Sequence, residues 1–312
     1  MYIAVVHSRH IKEQTLTPAI EVRNVTKRFG NFLALDRFSL TVKQGSIHGF
    51  LGPNGSGKST TIRTLLGVLA PNSGDVRILG TDPARDPFVL KRVGYVPGDV
   101  SLWPTLTGAE TLRALESLRG VPTNRQRESE LIDAFNLDPS KKTRDYSTGN
   151  RRKVSLIAAL SFGAEVLLLD EPTAGLDPLM ESVFVHEVRH EHDNGATVLL
   201  SSHILSEVEK LCDYVTVIKN GQVVEHGTIR QLRHLSTHSV SAHVSRETID
   251  RFRLTLGEDA VSVDKHGRAT LTVERDAVPD TLRALLDAGA TGIETQPASL
   301  EEIFMRHYEK GE

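Results

Sequence analysis

The sequence predicts an α/β fold in which a buried parallel sheet carries most of the chain and a second, smaller α/β domain follows. Three observations predict it. The segments VLLLD (166–170) and ATVLLSS (196–202) are apolar without alternation, and strands apolar on both faces belong to a parallel sheet covered on both sides. A glycine-rich turn, GPNGSGKST (52–60), joins an apolar strand to a helix. After about residue 232 the texture changes to short alternating segments.

Taken in order, residues 1–17 read as an N-terminal extension: MYIAVVHSRHIKEQ puts its charge after its apolar run, which is not the layout of a secretion signal. Strands follow at IEVRNV (20–25), FSLTV (38–42) and SIHGFLG (46–52), separated by Gly30, Asn31 and Gly45. A helix is predicted from Lys58 to about Leu69, stopped by Pro71 and Gly74. Residues 105–160, rich in helix formers and periodic leucines, read as mostly helical, ahead of the two apolar strands. The first domain is therefore placed at 18–232 and the second at 233–312. In the second, SVSAHVS, TIDRFRLTL, AVSVD, ATLTVE, DTLRALLDAG and TGIETQ read as strand, helix, strand, strand, helix, strand, which is the ferredoxin-like order. A last helix is expected near SLEEIFMRHY. No chemical site is visible in this domain, so packing, dimer contact or regulation is its expected role.

Composition narrows the function classes. With 312 residues, 39% hydrophobic and 25% charged, the chain reads as an ordinary globular protein. A formal charge of -3 leaves no basic footprint, so no nucleic-acid partner is expected. The single cysteine, Cys212, excludes an internal disulfide and fits a reducing compartment. The longest nearly apolar stretch, VSLIAALSFGAEVLLL (154–169), is interrupted by Ser155, Ser161 and Glu165 and is too short to span a bilayer.

The chemistry concentrates in two places. In Gly52-Pro53-Asn54-Gly55-Ser56-Gly57-Lys58-Ser59-Thr60, two glycines stand at phosphate-loop spacing ahead of Lys58 and Ser59. A glycine pair at that spacing arises readily by chance; the strand before it and the helix after it give it weight. They aim backbone N–H groups into one concavity at a helix N-terminus, where positive partial charge collects. Lys58 then reaches the β- and γ-phosphates and the Ser59 hydroxyl ligates Mg²⁺. In VLLLDEP (166–172) a buried strand ends in two acids. At the carboxyl edge of a parallel sheet, Asp170 is placed to hold Mg²⁺ through its water shell and Glu171 to take a proton from an attacking water.

With these two stretches, YSTGN (146–150), AGLD (174–177) and SSH (201–203) follow in an order and spacing that resemble, over residues 20–225, the ATP-binding subunit of an ABC transporter. The resemblance implies a P-loop NTPase fold, a RecA-like core with an antiparallel β subdomain and a helical signature subdomain. It also implies ATP and Mg²⁺ as cofactors and an ATPase whose hydrolysis drives a separate transmembrane permease. Two copies, or one copy and a paralogous subunit, would sandwich ATP, with Ser147, Thr148, Gly149 and Asn150 acting in trans. Ser147 and the N–H groups near Gly149, before a helix opening RRK, can present a second helix N-terminus to a γ-phosphate. Asp177 is the D-loop acid, His203 the switch histidine at the γ-phosphate and its water, and Phe29 the aromatic for adenine, with a core phenylalanine as the alternative.

The chain most resembles the drug-efflux exporters, peripheral on the cytoplasmic face of the cell membrane. Three departures stand out: Thr148 where glycine is usual, Asn150 where glutamine is common, and Gly98 at the Q-loop glutamine position, with Asp99 or a water as its substitute. The alternative is a soluble ABC-type ATPase acting on ribosomes or DNA; such proteins carry a second nucleotide domain or a long coiled-coil insertion, and this chain shows neither.

One string competes with this reading. HEVRH (186–190) spaces two histidines and a glutamate as a zinc peptidase does. Met180, Phe184 and Val188 form the apolar stripe of the same helix, so rotation by about 100° per residue turns His186 and His190 off the core. No further ligand follows at the spacing of the extended motifs. They could still take up stray zinc.

Overall fold

The computed structural model describes residues 18–234, 238–257, 260–264 and 267–297. The N-terminal extension and the final helix expected near 299–308 lie outside the described residues.

β1 (Ile20–Phe29) and β2 (Phe32–Val42) form a hairpin, β3 (Ile47–Leu51) leads into α1 (Lys58–Leu65), and β4 (Ser73–Ile78) returns to pair with β1. The result is an antiparallel sheet of order β2-β1-β4. β2 alternates, burying Leu35, Phe38, Leu40 and Val42, as a sheet with one solvated face should. The helix α1 stops earlier than the proline and glycine downstream suggest. Gly67, with φ 69, takes the left-handed position after the cap; its N–H bonds the Thr64 carbonyl and that of Val68 the Arg63 carbonyl. That pair of bonds closes a helix C-terminus.

The main sheet follows. β5 (Val93–Val96) precedes three helices, α2 (Gly108–Arg119), α3 (Arg125–Ala134) and α4 (Thr148–Leu160). Then come β6 (Val166–Asp170), α5 (Pro178–Asp193), β7 (Thr197–Ser202), α6 (Leu205–Leu211), β8 (Tyr214–Lys219), β9 (Gln222–Thr228) and α7 (Ile229–His234). Strand order is β5-β6-β7-β3-β8-β9, parallel throughout except for β9.

Every residue of β3, β6 and β7 is buried because both faces of the sheet are covered. Leu167, Leu169, Val198 and Leu200 pack with Leu156, Phe184 and Val208 of the helices. On the opposite face Phe50, Leu168 and Leu199 pack with Ile62 and Leu65 of α1 and with β1 and β2. This is why these strands show no alternation. Cys212 is buried in the first of these clusters, and burial pushes its thiol up, which makes it a packing residue and not a nucleophile.

Beyond the main sheet lie β10 (His238–His243), α8 (Arg246–Leu256), β11 (Val261–Val263), β12 (Arg268–Val273), α9 (Val278–Asp287) and β13 (Thr291–Pro297). They form a separate antiparallel sheet of order β11-β12-β10-β13 with its own apolar cluster, centred on Val240, Leu271 and Leu285. The element order is the strand and helix alternation read from the sequence.

Candidate active site

Three neighbouring strands, β6, β7 and β3, deliver their carboxyl ends to one edge of the sheet. β3 runs into the turn at 52–57. An added Cβ at Gly52 would come within 2.5 Å of the Ile218 carbonyl, and Gly57 sits at φ 116, so neither position accepts another residue without rearrangement. Lys58, 5% exposed, donates from Nζ to the Gly52 carbonyl at 2.5 Å and to that of Pro53 at 3.1 Å. Its charge therefore braces the curve of its own loop. The first helical carbonyl bond is Thr61 to Gly57, which leaves the N–H groups of Lys58, Ser59 and Thr60 without intrahelical acceptors. Asn54 and Gly55 are exposed at the rim, Pro53, Ser59 and Thr60 half-buried. Ser56 Oγ is buried without a hydrogen-bond partner.

β6 supplies the acids. Asp170 has the parity of Leu168, whose face of the sheet is covered by α1, so the carboxylate lies on the side from which Ser59 approaches. It is fixed there by Ser201 Oγ, which donates to Oδ1 at 2.6 Å. Glu171 leaves the strand with φ 48, an uncommon left-handed backbone for a residue with a side chain. Its N–H bonds Ser201 Oγ and the Ser201 carbonyl, both at 3.1 Å, and these hold the turn. One Glu171 oxygen accepts from His203 Nδ1 at 2.6 Å. The other lies 3.1 Å from Lys58 Nζ without hydrogen-bond alignment. Lysine, glutamate and histidine from three strand ends thus meet in one place.

Two residues behind this group went unread in the sequence. Glu207 of α6 accepts from Thr173 Oγ1 at 2.5 Å and Ser202 Oγ at 2.8 Å; burial raises its carboxyl above the ordinary range. Arg152 of α4 donates to the carbonyls of Pro97 and, at 2.6 Å, Gly98. Burial lowers the pKa of its guanidinium, while Asp170, Asp99 and Glu171 oppose that shift. The only sequence sign of Arg152 is its place in RRK.

Among the described residues no hydrogen bond joins the 146–150 turn to these groups; its bonds are local. Ser147 caps α4, accepting from the Asn150 N–H at 3.2 Å. Ser147 and Thr148 are exposed. Gly149 has no room for a Cβ, which would stand 2.6 Å from the Gly175 carbonyl. The hydroxyl-bearing residue thus occupies the tolerant position and the glycine the crowded one. Asp177 caps α5 through the Met180 N–H at 3.0 Å. Asp99 is exposed.

Phe29 is 46% exposed at the hairpin end, paired with Phe32 and with Lys27 Nζ 5.1 Å from its ring centre. It is not a core residue. The Ala34 carbonyl abuts Gly57, at 2.8 Å from an ideal Cβ there; two residues of strand, about 7 Å, then separate Phe32 from the phosphate-loop wall.

HEVRH resolves differently from a metal site. Met180, Phe184 and Val188 are buried, while His186 and His190 are exposed. Glu187 is buried and lies 2.6 Å from Arg127 Nη2, which also donates to Glu191 at 2.9 Å. The glutamate ties α3 to α5. Among the described residues no three His, Cys, Asp or Glu side chains cluster to hold a metal ion. Replacing His186 and His190 with alanine is expected to leave ATPase rate and stability nearly unchanged. Arg127→Ala, by taking the guanidinium away from the buried carboxylates of Glu187 and Glu191, should cost about 3–5 kcal/mol in a denaturant melt.

Known proteins show the family to which the chain belongs. The ABC transporter family matches residues 35–174. Daunorubicin/doxorubicin resistance ATP-binding protein DrrA of Streptomyces peucetius is 34% identical over 303 residues, covering 93% of this chain and 92% of its own. The chain belongs to the ABC transporter ATP-binding family. Nod factor export ATP-binding protein I of Ralstonia nicotianae, 33% identical, covers 93% of this ABC ATPase and 94% of its own length. Bacitracin transport ATP-binding protein BcrA of Enterococcus faecalis is 34% identical over 68% of the chain and 70% of its own. The solved ATP-binding subunit of an ABC transporter superposes with TM-score 0.65 at 30% identity, over 70% of this chain and 92% of that one. A dimeric cassette bound to ADP and Pi, 24% identical with TM-score 0.61, shares the fold. The protein is an ATP-hydrolysing transporter subunit with the P-loop NTPase fold. Among the described residues no helix is long and apolar enough to cross a membrane.

Proposed function

We infer that this ABC ATPase powers export through a separate membrane-spanning permease, from the cytoplasmic face of the membrane, as one half of a pair that encloses two ATP molecules. The observation that carries it is the meeting of Lys58, Glu171 and His203 at the ends of three adjacent strands. The named roles of the similar proteins, drug resistance, Nod factor export and bacitracin transport, support the exporter assignment.

In this reading residues 52–60 cradle the phosphates through backbone N–H groups, and Lys58 turns from the Gly52 and Pro53 carbonyls to the β- and γ-phosphates. Ser59 and Asp170 offer hard oxygen donors of the kind Mg²⁺ takes alongside phosphate and water, and Ser59 is half-buried at the start of α1. These two side chains would hold the ion, which supplies charge neutralisation when bound. Glu171, released from Lys58, accepts the proton of the attacking water, and His203 keeps its carboxylate oriented. Ser147 and the N–H groups at Gly149 close on the γ-phosphate bound by the other subunit; Phe29 lies against adenine; Asp177 anchors the D-loop.

Co-purification tests the transport assignment. With ATP trapped by Glu171→Gln, the subunit is expected to stay with a membrane protein in detergent. Recovery with ribosomes or DNA instead would overturn the exporter reading. The division at 232 has its own test. Protein ending there should fold and bind ATP as the full chain does, because every named group precedes that point; folded protein that no longer binds would make the second domain part of the nucleotide site.

A further inference from the structure

Arg152 is 3% exposed, and two of its donors are spent on adjacent carbonyls, Pro97 and Gly98, just past the end of β5. Its Nε has no hydrogen-bond partner. A guanidinium cannot shed its proton in a protein, and burying one is unfavourable unless charge and hydrogen bonds offset the lost water. Neutral carbonyls alone are a weak reason for a buried cation. Asp170, Asp99 and Glu171 are the charges that favour it.

Position 98 explains the need. An ideal Cβ on Gly98 would stand 3.1 Å from Asp170 Oδ2, so the backbone at 98 lies close against the acid and a side chain there would press on it. Contact with the helical region comes from α4, through the Arg152 bonds to the Pro97 and Gly98 carbonyls. That helix begins at Ser147, and Arg152 follows five residues later, about 7.5 Å along the axis. Over so short a length a helix moves as a rigid rod.

We propose that Arg152 is a positioning residue that couples the Ser147–Asn150 turn to Asp170 through the Pro97 and Gly98 carbonyls, doing from α4 what no side chain at 98 does. A γ-phosphate held by Ser147 then pulls on the backbone that abuts Asp170, and the state of Asp170 sets how the turn is presented. This rests on the reading of residues 147–150 as the contact to the other subunit's nucleotide.

The test uses full-length protein in the Glu171→Gln background, with ATP binding followed by titration and pairing by size exclusion with light scattering. Glu171→Gln alone should pair in MgATP. Adding Arg152→Gln should leave ATP binding to the monomer close to that of the parent but weaken ATP-driven pairing about tenfold or more, the order expected on losing charge-assisted hydrogen bonds. A purely structural role would lower both together, and a parallel loss of binding and pairing overturns the proposal. So does pairing equal to that of the parent. If Arg152→Gln does not fold, Arg152→Met decides: it fills the buried space with an apolar side chain that has no donor for either carbonyl, and undiminished pairing overturns the coupling. Failure of the parent to pair in ATP with any subunit supplied is a distinct result, which removes the shared-nucleotide reading and the coupling with it.

Discussion

Glu171→Gln binds ATP and does not turn it over; that is the expected result, with hydrolysis reduced on the order of 10²–10⁴-fold. The amide keeps the shape of the side chain and can still meet His203, which now lies 2.6 Å away, but it cannot accept the proton from water. ATP retained in this way should hold two subunits together, because in the proposed pair each γ-phosphate would be gripped by Lys58 and Ser59 on one side and Ser147 and Gly149 on the other. The mutant is therefore expected to run as a dimer with ATP and a monomer without it, and Ser147→Arg should erase the difference by filling the exposed turn. A paralogous partner, if the protein needs one, is supplied in the same measurement. Wild-type turnover by Glu171→Gln would put the base elsewhere.

Lys58→Ala should weaken ATP binding on the order of 10²-fold, since the site loses its charge-assisted bond to the phosphates. The structure adds a second reason. Lys58 also braces the Gly52 and Pro53 carbonyls, so alanine loosens the curve on which the loop N–H groups converge. Calorimetric titration reads the affinity, and a thermal melt checks that the core, to which Lys58 contributes little apolar surface, is intact. Unchanged affinity would place the nucleotide somewhere other than residues 52–60.

What was legible in the sequence is what short-range physics sets. VLLLD is a central strand because nothing in it tolerates water, and GPNGSGKST is a turn into a helix because of where its glycines fall. The phase of HEVRH on its helix could be counted, and the exposed histidines follow from that count. Gly67 is an equally local signal, and its left-handed backbone ends the helix ahead of Pro71 and Gly74. The remainder depends on distance along the chain. Arg127 meets Glu187 sixty residues later, and Arg152 reaches back to Gly98; charged residues on amphipathic helices give no sign of which will turn inward. The left-handed backbone of Glu171 is likewise set by Ser201 on the next strand, not by its own neighbours.

The crowding of Gly149 against Gly175 carries a consequence for timing. Gly175 lies four residues after Glu171, the proposed water-activating acid, whereas Gly149 belongs to the turn proposed to meet the companion's nucleotide. In the proposed pair, this close approach of two backbones would lie between the two nucleotide sites. If phosphate release at one site moves the segment at 172–177, the turn facing the other site would shift with it. The two turnovers in a pair are then not independent clocks, and the hydrolysis rate should rise with ATP more steeply, or more shallowly, than a single-site hyperbola allows.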